Sequence, residues 1–134
     1  MSAMTIAKLA AEGGVGVETV RYYQRRGLMP KPARPAGAGL NGGVRRYSDE
    51  DARRLRFIRT AQTVGFTLKE IGELLALDAV EDRTQAREMA GARIVALDAR
   101  IAELQRGRDA LSRLAADCAY GSAGPCPILR AFDE

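Results

Sequence analysis

The chain begins with a short segment whose apolar residues recur at helical spacing. Ile6, Leu9 and Ala10 lie at i, i+3 and i+4, and Thr5 precedes them as a capping residue. Three glycines follow between positions 13 and 16. Because glycine makes helix continuation costly, the segment predicts a helix that ends at this glycine turn.

A second helix is predicted from Val17 to about Arg26, with Gly27 as a left-handed cap. Its spacing points Val17, Val20 and Tyr23 inward and Glu18, Thr19, Arg21, Tyr22 and Arg25 outward. Two short helices joined by a tight glycine turn are typical of a helix-turn-helix unit, whose second helix enters the major groove of DNA.

The stretch from Met29 to Val44 lacks helical spacing. It holds three prolines, and five of its residues between positions 37 and 43 are glycine or asparagine. Arg45-Arg46-Tyr47 follows, so the pattern predicts a flexible loop that closes on a short strand, as in the β-hairpin wing beside a helix-turn-helix. A disordered linker is the alternative that the composition leaves open.

Two capping boxes predict the next two helices. Ser48 with Asp51 begins the first, and Thr67 with Glu70 begins the second, which ends near Leu77. The stripe positions are Leu55, Phe57, Ile58, Ala61, Gln62 and Val64 in the first helix, and Leu68, Ile71, Leu74 and Leu75 in the second.

The sequence from about Thr84 to Asp117 predicts one long helix, since it lacks proline and repeats its apolar residues at alternating spacings of four and three. The seam positions are Ala90, Ile94, Leu97, Ile101, Leu104, Arg108, Leu111 and Ala115. This face needs a partner helix because it would otherwise contact water. We expect antiparallel pairing within a homodimer; packing against the chain's own N-terminal helices is the alternative.

Charge divides the chain into two halves. Residues 1–62 carry 12 Lys or Arg and 5 Asp or Glu, a net charge of +7, whereas residues 63–134 carry 9 and 12, a net charge of −3. A basic half joined to a mildly acidic half is typical of a nucleic-acid-binding module fused to another function. Basic residues that only keep helix surfaces soluble are the alternative.

The composition excludes several classes of function. The chain has no histidine, which removes imidazole bases and His-ligated zinc sites, and no nucleophile–base pair or phosphate-binding loop supports an enzyme. No apolar run approaches the ~20 residues of a membrane helix, and the N-terminal residues lack the features of a signal peptide. We therefore expect a soluble cytoplasmic protein that is not an enzyme and has no membrane partner.

Two cysteines lie near the end of the chain. Cys118 ends the predicted long helix, and Cys126 follows after seven residues that form a short glycine- and proline-containing loop. Two facing thiolates give a linear site suited to soft d10 ions such as Cu(I), Ag(I), Au(I) or Hg(II), whereas zinc normally takes four ligands. Taken alone, two cysteines at this spacing are a weak signal of a metal site, and free structural thiols are the preferred interpretation.

Several motifs, taken in order, resemble the MerR family of transcription regulators over nearly the whole chain. They are Thr5-Ile6-Ala7, the run VETVRYYQRRGL from Val17 to Leu28, Arg45-Arg46-Tyr47-Ser48, Arg56-Phe57-Ile58 and the run GFTLKEI from Gly65 to Ile71. The resemblance implies a mainly α protein with a winged helix-turn-helix DNA-binding domain over 1–78, a dimerisation helix over 79–117 in an antiparallel coiled coil, and a metal-binding loop and tail over 118–134. It also implies a homodimer that binds double-stranded promoter DNA and distorts it when the effector binds, so that RNA polymerase engages.

The resemblance implies DNA contacts for individual residues. Arg21 and Tyr23 would contact the major groove from the second helix, and Thr19 is a further candidate there. Tyr22 is also a candidate, with core packing as its alternative. The residues Arg45, Arg46 and Tyr47 would serve the wing and its phosphate contacts. The loop from 35 to 43 is longer than the usual wing of the family.

The cysteine loop resembles the copper-responsive, CueR-like branch of the family. Relatives that respond to mercury, zinc, cadmium or lead usually carry a further cysteine at the start of the long helix, where this chain has Arg83. The resemblance therefore favours a soft monovalent ion, Cu(I), Ag(I) or Au(I), bound by Cys118 and Cys126. Two alternatives stay open: an Hg(II)-responsive mercury-resistance regulator, which the DNA-binding half resembles more closely, and a thiol-redox or electrophile sensor.

Overall fold

The computed structural model describes residues 3–35, 44–121 and 124–131. Its helices within these ranges are α1 (Ile6–Gly13), α2 (Val17–Arg25), α3 (Asp49–Thr63), α4 (Leu68–Ala79), α5 (Arg83–Tyr120) and α6 (Pro127–Arg130). The chain forms two compact units, Met1–Met89 and Ala90–Glu134. None of the helices in the described ranges combines the length and the apolar character that crossing a membrane requires.

The helix boundaries follow from the capping residues. The Thr5 side chain accepts a hydrogen bond from the Lys8 amide at 3.3 Å, and Gly14 ends α1 at φ 68°, in the left-handed region that glycine adopts without strain. Both predicted capping boxes are present, one between Ser48 and Asp51 and the other between Thr67 and Glu70. In each pair, the side chain of either residue accepts a hydrogen bond from the backbone amide of the other. The predicted starts of α1, α3 and α4 are therefore confirmed.

The core of the first unit lies where α1 packs on α2 and α3, and α3 packs on α4. Its largest fully buried side chains are Leu9, Val20, Leu55, Ile58 and Ile71. The expectation that Phe57 belongs to this core is wrong, since its side chain is 39% exposed. Leu55 and Ile58 lie three positions apart on the inward face of α3, and a residue between them at 57 points away from it.

Among the described residues, the segment predicted as the wing strand forms a single bridge. Tyr47 pairs with Met4, in the segment before α1, through hydrogen bonds of 2.9 and 2.8 Å between their backbone groups. The prolines at 30, 32 and 35 leave the other side of the loop with few amide donors, so that a hairpin ladder is disfavoured there. Arg45 joins the two sides instead, since its Nε donates to the Pro32 carbonyl at 2.8 Å. The wing tip expected at 36–43 lies outside the described residues.

A polar pair is built into this core. Tyr23 is 2% exposed, and its hydroxyl donates a hydrogen bond to Oε1 of Gln62 on α3. Burial raises the pKa of Tyr23, and the nearby Arg59 charge partly opposes that rise. The bond links the second helix of the helix-turn-helix to α3.

Replacement of Tyr23 by phenylalanine is expected to lower the free energy of unfolding by about 1–2 kcal/mol, because the Gln62 amide then loses a buried partner. Urea denaturation measures this change. Adding Gln62→Leu should recover part of the loss, since removing both partners costs less than orphaning one. Tyr120→Phe makes the same chemical change at an 89% exposed side chain and serves as the control. Equal losses in the two tyrosine variants would contradict the role of the hydrogen bond.

The second unit is dominated by α5, which has 38 residues and no buried side chain. The seam residues Ile94, Ile101, Leu104 and Leu111 are 57%, 54%, 57% and 48% exposed. A stripe of this length on a soluble helix is stable only when another surface covers it. The long helix is confirmed, and it extends three residues beyond its predicted end.

Candidate DNA-binding surface and metal centre

The outer face of α2 carries a cluster of one tyrosine and two arginines. Tyr22 is 39% exposed, and the guanidinium groups of Arg25 and Arg26 lie 5.9 and 5.8 Å from its ring centroid. Nη1 of Arg26 also donates to the Tyr22 hydroxyl at 3.1 Å. Both arginines are exposed, so the cluster presents two positive charges beside an aromatic ring.

Arg21 lies one turn earlier on the same helix. Its Nη1 is 2.6 Å from Oε1 of Glu18, and both side chains are more than half exposed. An exposed pair of this kind contributes well under 1 kcal/mol, so that the guanidinium exchanges partners at little cost. Thr19 is half-buried beside it. Of the predicted α2 contacts, Arg21 and Tyr22 are therefore the accessible ones.

Two tyrosines expected to contact DNA lie in the core instead. Tyr23 and Tyr47 are each 2% exposed. The Tyr47 hydroxyl accepts a hydrogen bond from Nε2 of Gln24 at 2.9 Å, and Tyr23 is bonded to Gln62. The rings of both side chains pack inward, because Tyr23 shares the inward face of α2 with Val20 and Tyr47 lies at the bridge to Met4.

The two arginines before Tyr47 differ in their surroundings. Arg45 is half-buried and held by the Pro32 carbonyl. Arg46 is exposed and lines a surface pocket with two further cations, Lys8 and Arg56, and two acids, Glu12 and Asp49. Glu12 pairs with both Lys8 and Arg56. The exposed guanidinium of Arg46 suits a phosphate contact, whereas Arg45 fixes the loop.

The two cysteines meet in the second unit. Cys118 lies in the last turn of α5, and Cys126 caps the N-terminus of α6. Gly124 adopts φ 96°, a left-handed conformation that lets the chain reverse between them. The two Sγ atoms are 3.0 Å apart, and both side chains are free thiols, half-buried.

The two thiols differ in acidity. The hydrogen bond from Cys118 lowers the pKa of Cys126, and the backbone amides of Leu129 and Ile128 lower it further. The same hydrogen bond raises the pKa of Cys118. Both effects favour ionisation of Cys126 before Cys118, and an ion that takes both sulfurs as thiolates displaces the protons that they still carry.

The donor set fits a soft ion better than a hard one. In the described part of the chain, no third His, Cys, Asp or Glu joins the two sulfurs in a metal-binding group. Two thiolates alone satisfy ions that accept linear coordination, whereas zinc sites normally use four ligands. In a linear site the two sulfurs are separated by the sum of two metal–sulfur bonds of about 2.3 Å each. This sum is longer than the present distance of 3.0 Å between the Sγ atoms, so the thiols must move apart to hold an ion.

Two glutamines have roles that the sequence analysis did not assign. Gln62 was placed in an apolar stripe, and Gln24 was not singled out, yet these side chains satisfy the two buried tyrosine hydroxyls. The position of Gln62 within an apolar stripe could have indicated its role, because a buried amide needs a buried hydrogen-bond partner. Arg54 was missed as well: its Nε donates to the Leu28 carbonyl at 2.6 Å, just after α2.

Comparison with known proteins agrees with this architecture. Residues 4–78 match the MerR HTH family regulatory protein domain, and residues 52–114 match the domain described as MerR, DNA binding. The chain is 38% identical over 127 residues to the mercuric resistance operon regulatory protein of Serratia marcescens, covering 94% of this chain and 85% of that protein.

Two solved structures have the same fold. One is HiNmlR, a MerR family regulator lacking the sensor domain, bound to promoter DNA (TM-score 0.68, 26% identity, 86% of this chain and 89% of that one). The other is the dual-function regulator MerR from Bacillus megaterium MB1 in complex with a mercury(II) ion (TM-score 0.57, 32% identity, 98% of this chain and all of that one). With a helix-turn-helix unit, a long exposed helix and these matches, the chain belongs to the MerR family of DNA-binding transcription regulators, whose members bind promoter DNA as dimers.

Proposed function

We propose that this protein is a homodimeric regulator that activates transcription when a soft thiophilic ion binds Cys118 and Cys126. The observation that carries the proposal is the sulfur pair, 3.0 Å apart, in a unit separate from the one that holds the DNA-binding helices. Ion capture changes the packing at the end of α5, and this change biases the dimer between two DNA-bound geometries. One of them distorts the promoter so that RNA polymerase engages.

DNA binding is assigned to the first unit. Arg21 and Tyr22 on α2 are the proposed major-groove contacts, with Thr19 at their edge, and Arg46 is the proposed phosphate contact of the wing. Arginine reads guanine bidentately or holds a phosphate, so a small number of such contacts provides both affinity and register. Arg45 positions the wing loop through the Pro32 carbonyl.

Monovalent Cu(I), Ag(I) or Au(I) is the proposed effector class. With two thiolates as the only donors that the described site offers, a divalent ion that prefers four ligands is poorly satisfied. A monovalent ion bound by two thiolates leaves a net charge of −1, which a nearby cation stabilises. In other branches the resemblance places a third cysteine at the position of Arg83, contributed by the partner subunit, so Arg83 of the partner subunit would supply a positive charge and no ligand.

Hg(II) is the second candidate. It is favoured by the similarity to the mercuric resistance regulator of S. marcescens and to the B. megaterium regulator bound to mercury(II). Hg(II) also accepts two thiolates, and its bis-thiolate complex is neutral.

Competitive metal titration tests the proposal. The reduced protein is titrated with Cu(I), Ag(I), Hg(II) and Zn(II) in the presence of a chelator of known affinity, and transcription from its own promoter is measured at each occupancy. We expect one monovalent ion per subunit and induction that follows occupancy, with Zn(II) at least about 100-fold weaker because two of its usual four ligands are missing.

Any other result of the metal titration would point to a different function. Induction by Hg(II) alone would establish the second candidate in place of the first. Equal induction by Zn(II) would contradict a two-donor site. Activation by a Cys118–Cys126 disulfide with all metal chelated would replace metal sensing by redox sensing, for which the short sulfur separation provides the geometry.

A further inference from the structure

One glutamine connects α2 to the base of the wing loop, which residues 30–32 and 45–47 form. Nε2 of Gln24 donates one hydrogen bond to the Pro30 carbonyl at 3.0 Å and another to the Tyr47 hydroxyl at 2.9 Å. Both sides of the loop are thus bonded to the same side-chain amide. We propose that Gln24 is a positioning residue, which sets the place of the phosphate contact of the wing relative to α2.

The amide group of glutamine suits this position because its nitrogen offers two hydrogens. A carbonyl oxygen only accepts hydrogen bonds, so the bond to Pro30 requires the amide nitrogen, and not the amide oxygen, of Gln24 to face the loop. The second hydrogen of this nitrogen is donated to the Tyr47 hydroxyl. Gln24 therefore holds the loop with the same two donors that it would need to contact a base from α2.

Tyr47 is held at both of its ends. Its backbone amide and carbonyl are bonded to Met4 at 2.8 and 2.9 Å, and its hydroxyl is bonded to Gln24. Its ring is 2% exposed, whereas the neighbouring Arg46 is exposed. Because neighbouring side chains of a paired, extended segment point to opposite sides, the buried Tyr47 ring directs the Arg46 side chain outward.

The composition of the loop explains why side chains hold it. The prolines at 30, 32 and 35 lack amide hydrogens, so that backbone pairing across the loop has few donors. Two of the proline carbonyls accept from side chains instead, Pro30 from Gln24 and Pro32 from Nε of Arg45. Arg45 joins the two sides of the loop to each other, and of these two bonds only that of Gln24 reaches α2.

This role of Gln24 gives its loss a distinctive effect on DNA binding, and it rests on the phosphate contact proposed above for Arg46. Gln24 lies three positions after Arg21, the proposed base contact on α2. A base contact at Gln24 would affect the operator selectively. A residue that positions Arg46 instead affects operator and unrelated DNA alike, and its loss lowers the salt dependence of binding.

Titrations of the full chain with operator and unrelated duplexes, at several salt concentrations, test this role. Gln24→Met keeps the length and the helix preference of the side chain but donates no hydrogen bond. We expect about ten-fold weaker binding to both duplexes and a salt slope reduced by about 1 per half-site, as for Arg46→Ala. A loss confined to the operator would make Gln24 a base contact and overturn the positioning role.

Gln62→Met is the matched control. Gln62 is also half-buried and also bonds a buried tyrosine hydroxyl, that of Tyr23, but it joins α2 to α3 and not to the loop. A general loss of stability would therefore affect DNA binding in both variants. We expect Gln62→Met to keep the native salt slope. An equal fall of the slope in Gln62→Met and Gln24→Met contradicts a specific role for Gln24.

A double-variant cycle connects the effect to Arg46. When Gln24→Met has already displaced the loop, Arg46→Ala should weaken binding by less than about a further two-fold, whereas beside Gln62→Met it should have its full effect. Additive losses for Gln24→Met and Arg46→Ala overturn the inference. If Arg46→Ala alone leaves the salt slope unchanged, the proposed phosphate contact fails and the positioning role fails with it. If Arg46→Ala lowers the slope and Gln24→Met does not, only the positioning role fails.

Discussion

Replacing Cys118 or Cys126 with serine is expected to abolish metal-dependent transcription while leaving promoter binding unchanged. Serine keeps the size of the side chain but offers a hard, protonated oxygen where a soft ion needs a thiolate. Loss of an outer-shell partner already weakens metal sites 10- to 100-fold, so loss of one of two ligands should exceed about 100-fold. DNA affinity is unaffected because the proposed contacts lie in the first unit.

Binding and transcription must be measured together in these variants. Gel-shift titration on the promoter gives the dissociation constant, and transcription in vitro gives the induction ratio with and without Cu(I) or Ag(I). Ala119→Ser is the matched control, since it introduces the same hydroxyl at the exposed position next to Cys118 and should induce normally. Full induction in either cysteine variant would refute the assigned site, and loss of promoter binding would show that the cysteines act on folding instead.

The elements that local chemistry determines were predictable from the sequence. Thr5, Ser48 and Thr67 each satisfy backbone amides that a helix start leaves unpaired, so these three boundaries are set within a few residues of the chain. The heptad seam was equally clear, because its spacing repeats over more than three heptads. Such signals are read within one helix and need no knowledge of what packs against it.

Features set by tertiary packing were predicted less well. The motif places Tyr22 and Tyr23 side by side, but only the packing of α2 decides which one is buried: Tyr23 reaches Gln62 on α3, and Tyr22 remains outside. The prediction of a strand at Arg45-Arg46-Tyr47 was wrong for a similar reason. Tyr47 pairs with Met4, in the segment before α1, and not with the other side of its own loop. These contacts join residues 39 and 43 positions apart, which no local pattern reports.

The meeting of the two cysteines was predictable from the sequence, but the geometry of the pair was not. Seven residues with two glycines and a proline indicate that Cys118 and Cys126 can meet. The difference between them arises from structure: Cys126 precedes α6, whose first amides point toward its sulfur, and Cys118 ends a helix and donates. A short helix of four residues leaves too little periodicity to be predicted from sequence.

Replacing Arg21 with alanine is expected to weaken operator binding by about 1–3 kcal/mol per half-site, or roughly 5- to 150-fold. Arg21 is exposed on the helix proposed to enter the major groove, and its Glu18 contact is easily exchanged for a base edge. Binding to unrelated DNA should change much less, because a base contact is lost and not a phosphate contact. Titrations of operator and non-operator duplexes at several salt concentrations measure both effects.

Arg53→Ala is the matched control for Arg21→Ala. Arg53 also pairs with a glutamate three residues earlier, Glu50, at 3.2 Å on an exposed helix face, but this helix is α3 and not the recognition helix. It should retain operator affinity, which shows that loss of an exposed arginine is not itself sufficient. An equal loss on both duplexes, with the salt slope reduced by about 1 per half-site, would reassign Arg21 to the phosphate backbone. Unchanged operator affinity in Arg21→Ala would mean that α2 does not read the groove through this residue, and the assignment of the DNA-binding surface would then pass to Arg25, Arg26 and Tyr22.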